Sequence, residues 1–150
     1  MDEAFIKKVQ PNSPEAEQSV IGAMIMDRDA IADVIDIVSA DDFYQKQNGI
    51  LFEAMTELYR EGKPVDLITL QERLKEKEVP PEISSLEFVR DLVAAVPTSA
   101  NVRYYAQIVS DKAVMRKLIK MNDELSNICY AGNEPLESVL EKTEKSVKKS

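Results

Sequence analysis

A chain of 150 residues with 44% hydrophobic and 31% charged residues suits one domain with a sizeable core, and no apolar run approaches the roughly 18 residues of a membrane span. With no His and the single Cys129, a His/Cys zinc site, a His general acid or base and an internal disulfide are excluded. The net charge of −8 is uneven: residues 1–97 carry 10 Lys and Arg against 20 Asp and Glu, and residues 98–150 carry 9 against 7. The acidic part repels the phosphate backbone that supplies most non-specific nucleic-acid affinity, so protein partners are expected. Met1-Asp2-Glu3-Ala4-Phe5 has no basic n-region followed by an apolar stretch. A soluble cytoplasmic protein is the expectation.

Helical periodicity with readable caps recurs along the chain, and no segment alternates like a strand. Residues 1–12 read as a loose N-terminal arm. The first helix begins with Ser13 as N-cap and Pro14 at the first helical position, with Glu15 and Glu17 near the positive end of the dipole. It is expected to bury Ala16, Val20, Ala23 and Met24. Gly22 costs roughly 1 kcal/mol against Ala in mid-helix, which suggests close packing there. A second helix, about 28–38, carries Ile31, Val34, Ile35 and Val38 on one side. Ser39 to Tyr44 forms an acidic turn that delivers Phe43 to the core.

A third helix, roughly 46–61, places Leu51, Phe52, Met55, Leu58 and Tyr59 in a wide stripe and stops at Gly62. Asp66 caps a fourth, with Leu67, Leu70 and Leu74 inward. Val79-Pro80-Pro81 breaks the chain, and Ser84 with Glu87 reads as the capping box of a fifth helix burying Leu86 or Phe88, Val89, Leu92 and Val96. Five short helices joined by short loops predict a compact bundle over residues 13–97.

The last third differs. From Ala100 to about Tyr130 neither Pro nor Gly interrupts, and Ala131-Gly132-Asn133-Glu134 makes a tight break before Pro135 restarts a helix. Residues 98–150 therefore predict a long antiparallel helical hairpin. Its apolar stripes are thin: Tyr104, Ile108, Met115, Leu118, Leu125 and Cys129 on one arm, and Leu136, Val139, Leu140 and Val147 on the other. Seams so narrow bury too little to stand alone, so the hairpin must lie on its own bundle or on another chain, and the second is favoured. Of the Tyr104–Tyr105 pair, one is expected to pack and the other to stay half exposed.

Candidate chemistry is sparse. Four glycines, at 22, 49, 62 and 132, open no phosphate cradle, and Lys142-Thr143 lacks a preceding glycine. Asp29, Asp33 and Asp36 share a helical face, and with Asp27, Asp41 and Asp42 they offer oxygen ligands for a divalent cation; caps and a solvated face explain them more simply. Lys112, Arg116, Lys117 and Lys120 form a basic stripe that suits either phosphate contact or pairing with Asp111, Asp123, Glu124 and Glu144. No stacking aromatics are interleaved with it.

Four segments carry a resemblance: Pro14-Glu15-Ala16-Glu17-Gln18-Ser19-Val20-Ile21-Gly22-Ala23, Asp42-Phe43-Tyr44, Pro64-Val65-Asp66-Leu67-Ile68-Thr69-Leu70, and Val96-Pro97-Thr98-Ser99-Ala100-Asn101-Val102-Arg103-Tyr104-Tyr105-Ala106-Gln107-Ile108-Val109. In that order and spacing they resemble the N-terminal domain of the DnaB-like bacterial hexameric replicative helicases, the last segment being the most specific. The resemblance implies an all-α fold, a small bundle followed by a helical hairpin that pairs with a neighbouring subunit's. Three pairs make a collar (a trimer of dimers) on which primase docks; the helicase loader is a further expected partner.

On this reading Tyr104, Ile108, Met115, Leu118, Leu136 and Leu140 belong to the oligomer interface, and Glu15, Phe88, Ile119 and Leu125 to partner docking. The domain has no catalytic residue and no cofactor or metal of its own, ATP and magnesium being expected only in the motor domain. Direct DNA binding is expected to be weak or absent. The chain departs from the family at Gln47-Asn48-Gly49, where a His is usual and where Gly49 is expected to weaken the helix start. It stops about where a linker to the motor would begin, as a fragment of a longer helicase would. A stand-alone helical adaptor or a single-stranded-DNA-binding module is the alternative.

Overall fold

A computed structural model of the chain describes residues 9–94 and 101–149. The described residues form helices and no strand, in agreement with the all-α expectation. Helix α1 (Pro14–Met26) starts as its sequence dictates: Ser13 is in extended backbone, and its Oγ accepts the Ala16 N–H at 3.2 Å. Asp27 ends α1 and also caps α2 (Arg28–Ile35), its carboxylate accepting the Asp29 N–H at 2.9 Å. The second helix is thus shorter than the expected 28–38. The N–H groups of Ile37 and Val38 both turn back to the Val34 carbonyl, and Val38 enters the core from this turn.

A 3₁₀ turn at Ala40–Asp42 follows, closed by the Ser39 N–H donating to Asp42 Oδ2 at 2.9 Å. It leads Phe43 to a buried position 5.2 Å from the Phe52 ring. Helix α3 (Lys46–Arg60) buries Leu51, Phe52, Met55 and Leu58 and terminates before Gly62, whose φ of 73° is the left-handed conformation that glycine adopts without strain. Arg28 ties α2 to this end, donating to the Lys63 carbonyl at 2.6 Å with its guanidinium 4.9 Å from the Tyr59 ring centre.

Asp66 caps α4 (Leu67–Glu76) twice over, accepting the Ile68 and Thr69 N–H groups at 2.9 Å, while Thr69 Oγ1 accepts the Asp66 N–H. A short helix the periodicity does not announce, α5 (Pro81–Ser84), precedes α6 (Leu86–Ala94). It relocates a cap. Ser84 is consumed in α5, and Ser85 takes the expected role, its Oγ accepting the Phe88 N–H at 3.1 Å. The Pro80–Pro81 pair explains the shift, since Pro81 starts a helical turn one residue after the break. Val89 is fully buried and Phe88 half-buried; the side chains of Leu86 and Leu92, and all of Val96, lie outside the described residues, as does most of the arm at 1–12.

The chain forms two compact units, residues 12–110 and residues 111–150 with 1–11. The division falls within helix α7 (Val102–Ala131), whereas the sequence reading divides at residue 97. The reason is packing: Val102, Ala106 and Val109, one face at i, i+4 and i+7, are buried in the core that α1–α4 build from Val20, Ile21, Met24, Ile31, Val34, Leu51, Met55, Leu70 and Leu74. Tyr105 packs half-buried on that core and Tyr104 stays exposed, their rings edge to face at 5.8 Å. In the second unit α7 ends at Gly132 (φ 63°), and α8 (Leu136–Lys149) follows after Pro135.

Candidate interaction surfaces

Two features of the bundle position its surface, and neither is announced by periodicity. Glu17, placed by its spacing in the first turn of α1, is only 2% exposed. Its carboxylate accepts the Tyr44 N–H at 2.7 Å, the Gln45 N–H at 3.2 Å and Asn48 Nδ2 at 3.0 Å. Gln45 supplies no side-chain cap to α3; Glu17 instead anchors, from another helix, the two residues that lead into α3 and the Asn48 amide in its first turn. The second feature is Gly49. Read from sequence as a weak helix start, it is buried with its α-carbon so close to the 3₁₀ turn that a Cβ there would lie 2.8 Å from the Ala40 carbonyl oxygen. Only glycine admits that approach.

An ionic ladder joins α3 to α4. Arg73 contacts Glu57 at 3.1 Å and Glu61 at 2.7 Å, Lys77 reaches Glu53 at 3.0 Å and Glu57 at 2.6 Å, and Lys63 meets Glu61 at 3.0 Å. Hydrogen bonds from Arg73 and then Lys63 hold the Glu61 carboxyl down to about 2. Burial pushes Glu57 up, but bonds from Lys77 and Arg73 and their charges outweigh it and leave Glu57 below the ordinary range. Bonds to Glu57 and Glu53 raise Lys77 in turn.

Three of the six carboxylates singled out from sequence have structural partners. Asp27 and Asp42 accept backbone N–H groups as described, and Asp33 pairs with Arg103 at 2.9 Å. Among the described residues no cluster of His, Cys, Asp and Glu is arranged to hold a metal ion, and no helix is long and apolar enough to cross a membrane.

The hairpin offers a second, apolar candidate surface. Its two arms flank a groove of about 190 Å³ lined by Leu118, Met121, Leu125, Ile128 and Val147, with Glu124, Lys142, Thr143 and Ser146 contributing polar atoms. Polar contacts near the turn tie α8 to the residues before it: Lys142 pairs with Glu134 and Ser138 Oγ donates to Glu134 Oε1 at 3.2 Å, while Lys148 bonds Glu144 at 2.9 Å within the last turns of the helix. The Lys142 bond holds the Glu134 carboxyl below its ordinary range. Of the basic stripe, Arg116 donates to the Pro11 carbonyl at 2.8 Å, a contact absent from the expected carboxylate pairings. Lys117 and Lys120 are exposed and Lys112 is half-buried.

The residues assigned to self-association divide between the two units. Tyr104 is exposed and Ile108 half-buried against the bundle core. Met115 is 50% exposed, Leu118 44%, Leu136 72% and Leu140 59%, all within the hairpin unit. Of the docking residues, Glu15 is exposed on α1, Phe88 half-buried on α6, Ile119 42% exposed, and Leu125 half-buried in the groove. Sequence reasoning gives Glu17 a place at the helix dipole and Gly49 a weak helix start, and it does not reach their cross-element contacts or the Arg116–Pro11 bond. The one available signal was the pairing of a first-turn Glu with the polar run Gln45 to Gly49, a contact across 28 or more residues that no local rule reads.

The family model of the DnaB-like helicase N terminal domain matches residues 9–111. The chain is 35% identical over 147 residues to the replicative DNA helicase DnaB of Geobacillus stearothermophilus and 31% identical over 147 residues to the replicative DNA helicase DnaC of Bacillus subtilis. Each alignment covers 98% of this chain and 32% of the relative, so the chain spans about a third of those proteins' length. Among solved structures it resembles the N-terminal domain of DnaB helicase from Mycobacterium tuberculosis, with a TM-score of 0.87 and 31% identity, over 95% of this chain and 100% of that one. It also shares the fold of the N-terminal domain of DnaB helicase from Helicobacter pylori, a structure described together with that domain's interactions with primase (TM-score 0.67, 21% identity, 77% of this chain and 89% of that one). A capped helical bundle running through one long helix into a hairpin, with these matches across most of its length, makes the chain a member of the DnaB-like helicase N-terminal domain family.

Proposed function

We propose that the chain is the collar domain of a hexameric replicative helicase in the cytoplasm, self-associating through its hairpin and presenting a docking surface for primase. The observation that carries this reading is the exposure of Met115, Leu118, Ile119, Leu136, Leu140 and Val147 within one small unit in which, among the described residues, Ala113 and Val139 are the buried apolar side chains. Exposed apolar patches of this kind mark interaction surfaces.

Completing the burial of these six half-exposed side chains on each of two hairpins is worth on the order of 10–20 kcal/mol, set against the roughly 4–15 kcal/mol lost on association. The surplus left to a single pair of hairpins is therefore modest, and linkage of subunits in a ring raises the effective concentration that makes it persist. Primase docking is supported by the interactions described for the Helicobacter domain. A loader is a further partner on this reading. The domain's influence on unwinding is indirect: a partner that contacts two collar states unequally shifts their populations.

Light scattering across a concentration series tests the proposal. Association that rises into the high-micromolar range and is lost in Ile119→Asp and Leu140→Asp supports it; a monomer throughout, with both variants indistinguishable from the parent, overturns it. Titration with the helicase-binding domain of primase tests the docking arm separately.

A further inference from the structure

We draw no further inference here: the strongest candidate, the apolar groove between the two arms of the hairpin lined by Leu118, Leu125, Ile128 and Val147, belongs to the self-association surface already described, and nothing in the structure shows what else covers it.

Discussion

Glu17→Ala removes one carboxylate and strands three donors: the Tyr44 and Gln45 N–H groups and the Asn48 amide. Leaving a buried donor such as the Asn48 amide unsatisfied costs about 1–3 kcal/mol; the part-buried Tyr44 and Gln45 N–H groups cost less because water reaches them, and release of the carboxylate's own desolvation penalty offsets part of the total. A net loss of about 2–4 kcal/mol follows, a large share of the roughly 5–15 kcal/mol that holds a domain folded. At about 2–4 °C per kcal/mol for a chain near this size, the melting temperature falls by roughly 4–16 °C. Glu17→Gln keeps one acceptor oxygen but turns an NH₂ toward a donor, so it loses about half as much. Urea denaturation followed by far-UV circular dichroism measures both. Glu17→Ala within about 0.5 kcal/mol of the parent would refute the cross-helix anchor. So would strictly additive losses in the Glu17→Ala, Asn48→Ala double-mutant cycle, because groups that bond one another couple by about 0.5–3 kcal/mol.

Gly49→Ala separates two readings by sign: helix propensity alone stabilises by about 1 kcal/mol, whereas a Cβ 2.8 Å from the Ala40 carbonyl oxygen destabilises by about 1–3 kcal/mol, and the second is the expected result in thermal melts. Ser85→Ala loses about 1 kcal/mol through its cap on α6, read by the same melts. The Glu61 carboxyl titrates near 2 in the folded chain against an ordinary 4.5, so the unfolded state binds the proton first on acidification. Its stabilising contribution is full above about 4.5 and disappears as pH falls through about 2. The stability gap between the parent and Glu61→Gln should therefore close across that window and stay constant above it. Leu136→Asp, at a 72% exposed position, should abolish self-association in sedimentation velocity while the dilute protein melts within about 0.5 kcal/mol of the parent.

Local chemistry made much of the fold legible. Ser13-Pro14 and Asp66 cap helices where their sequence neighbourhoods say they must, and Gly62 and Gly132 take the positive φ that ends a helix. The 3.6-residue spacing of Leu51, Met55 and Leu58 or of Leu70 and Leu74 selects the buried faces. Where two caps competed, the reading slipped by one residue: Ser84 and Ser85 are equivalent in composition, and the proline pair upstream decides between them.

The surfaces were less legible. Tyr104 and Ile108 stand in one predicted stripe with Met115 and Leu118, yet the core draws the first turns of the long helix into the bundle, leaving Ile108 half-buried there. Periodicity assigns residues to a face of a helix but does not say which neighbour that face meets.

Sequence by itself determined the family, through its ordered motifs, and the helical class, most caps and turns and much of the core within the bundle, which rest on interactions spanning a few positions; it missed the buried face of Val102, Ala106 and Val109. Tertiary structure alone decided that Glu17 is a buried keystone, that Gly49 is a point of closest approach, and that the long helix is shared between two units. Those outcomes depend on atoms brought together from distant parts of the chain, where a carboxylate finds donors or a backbone finds a carbonyl only after the helices have packed.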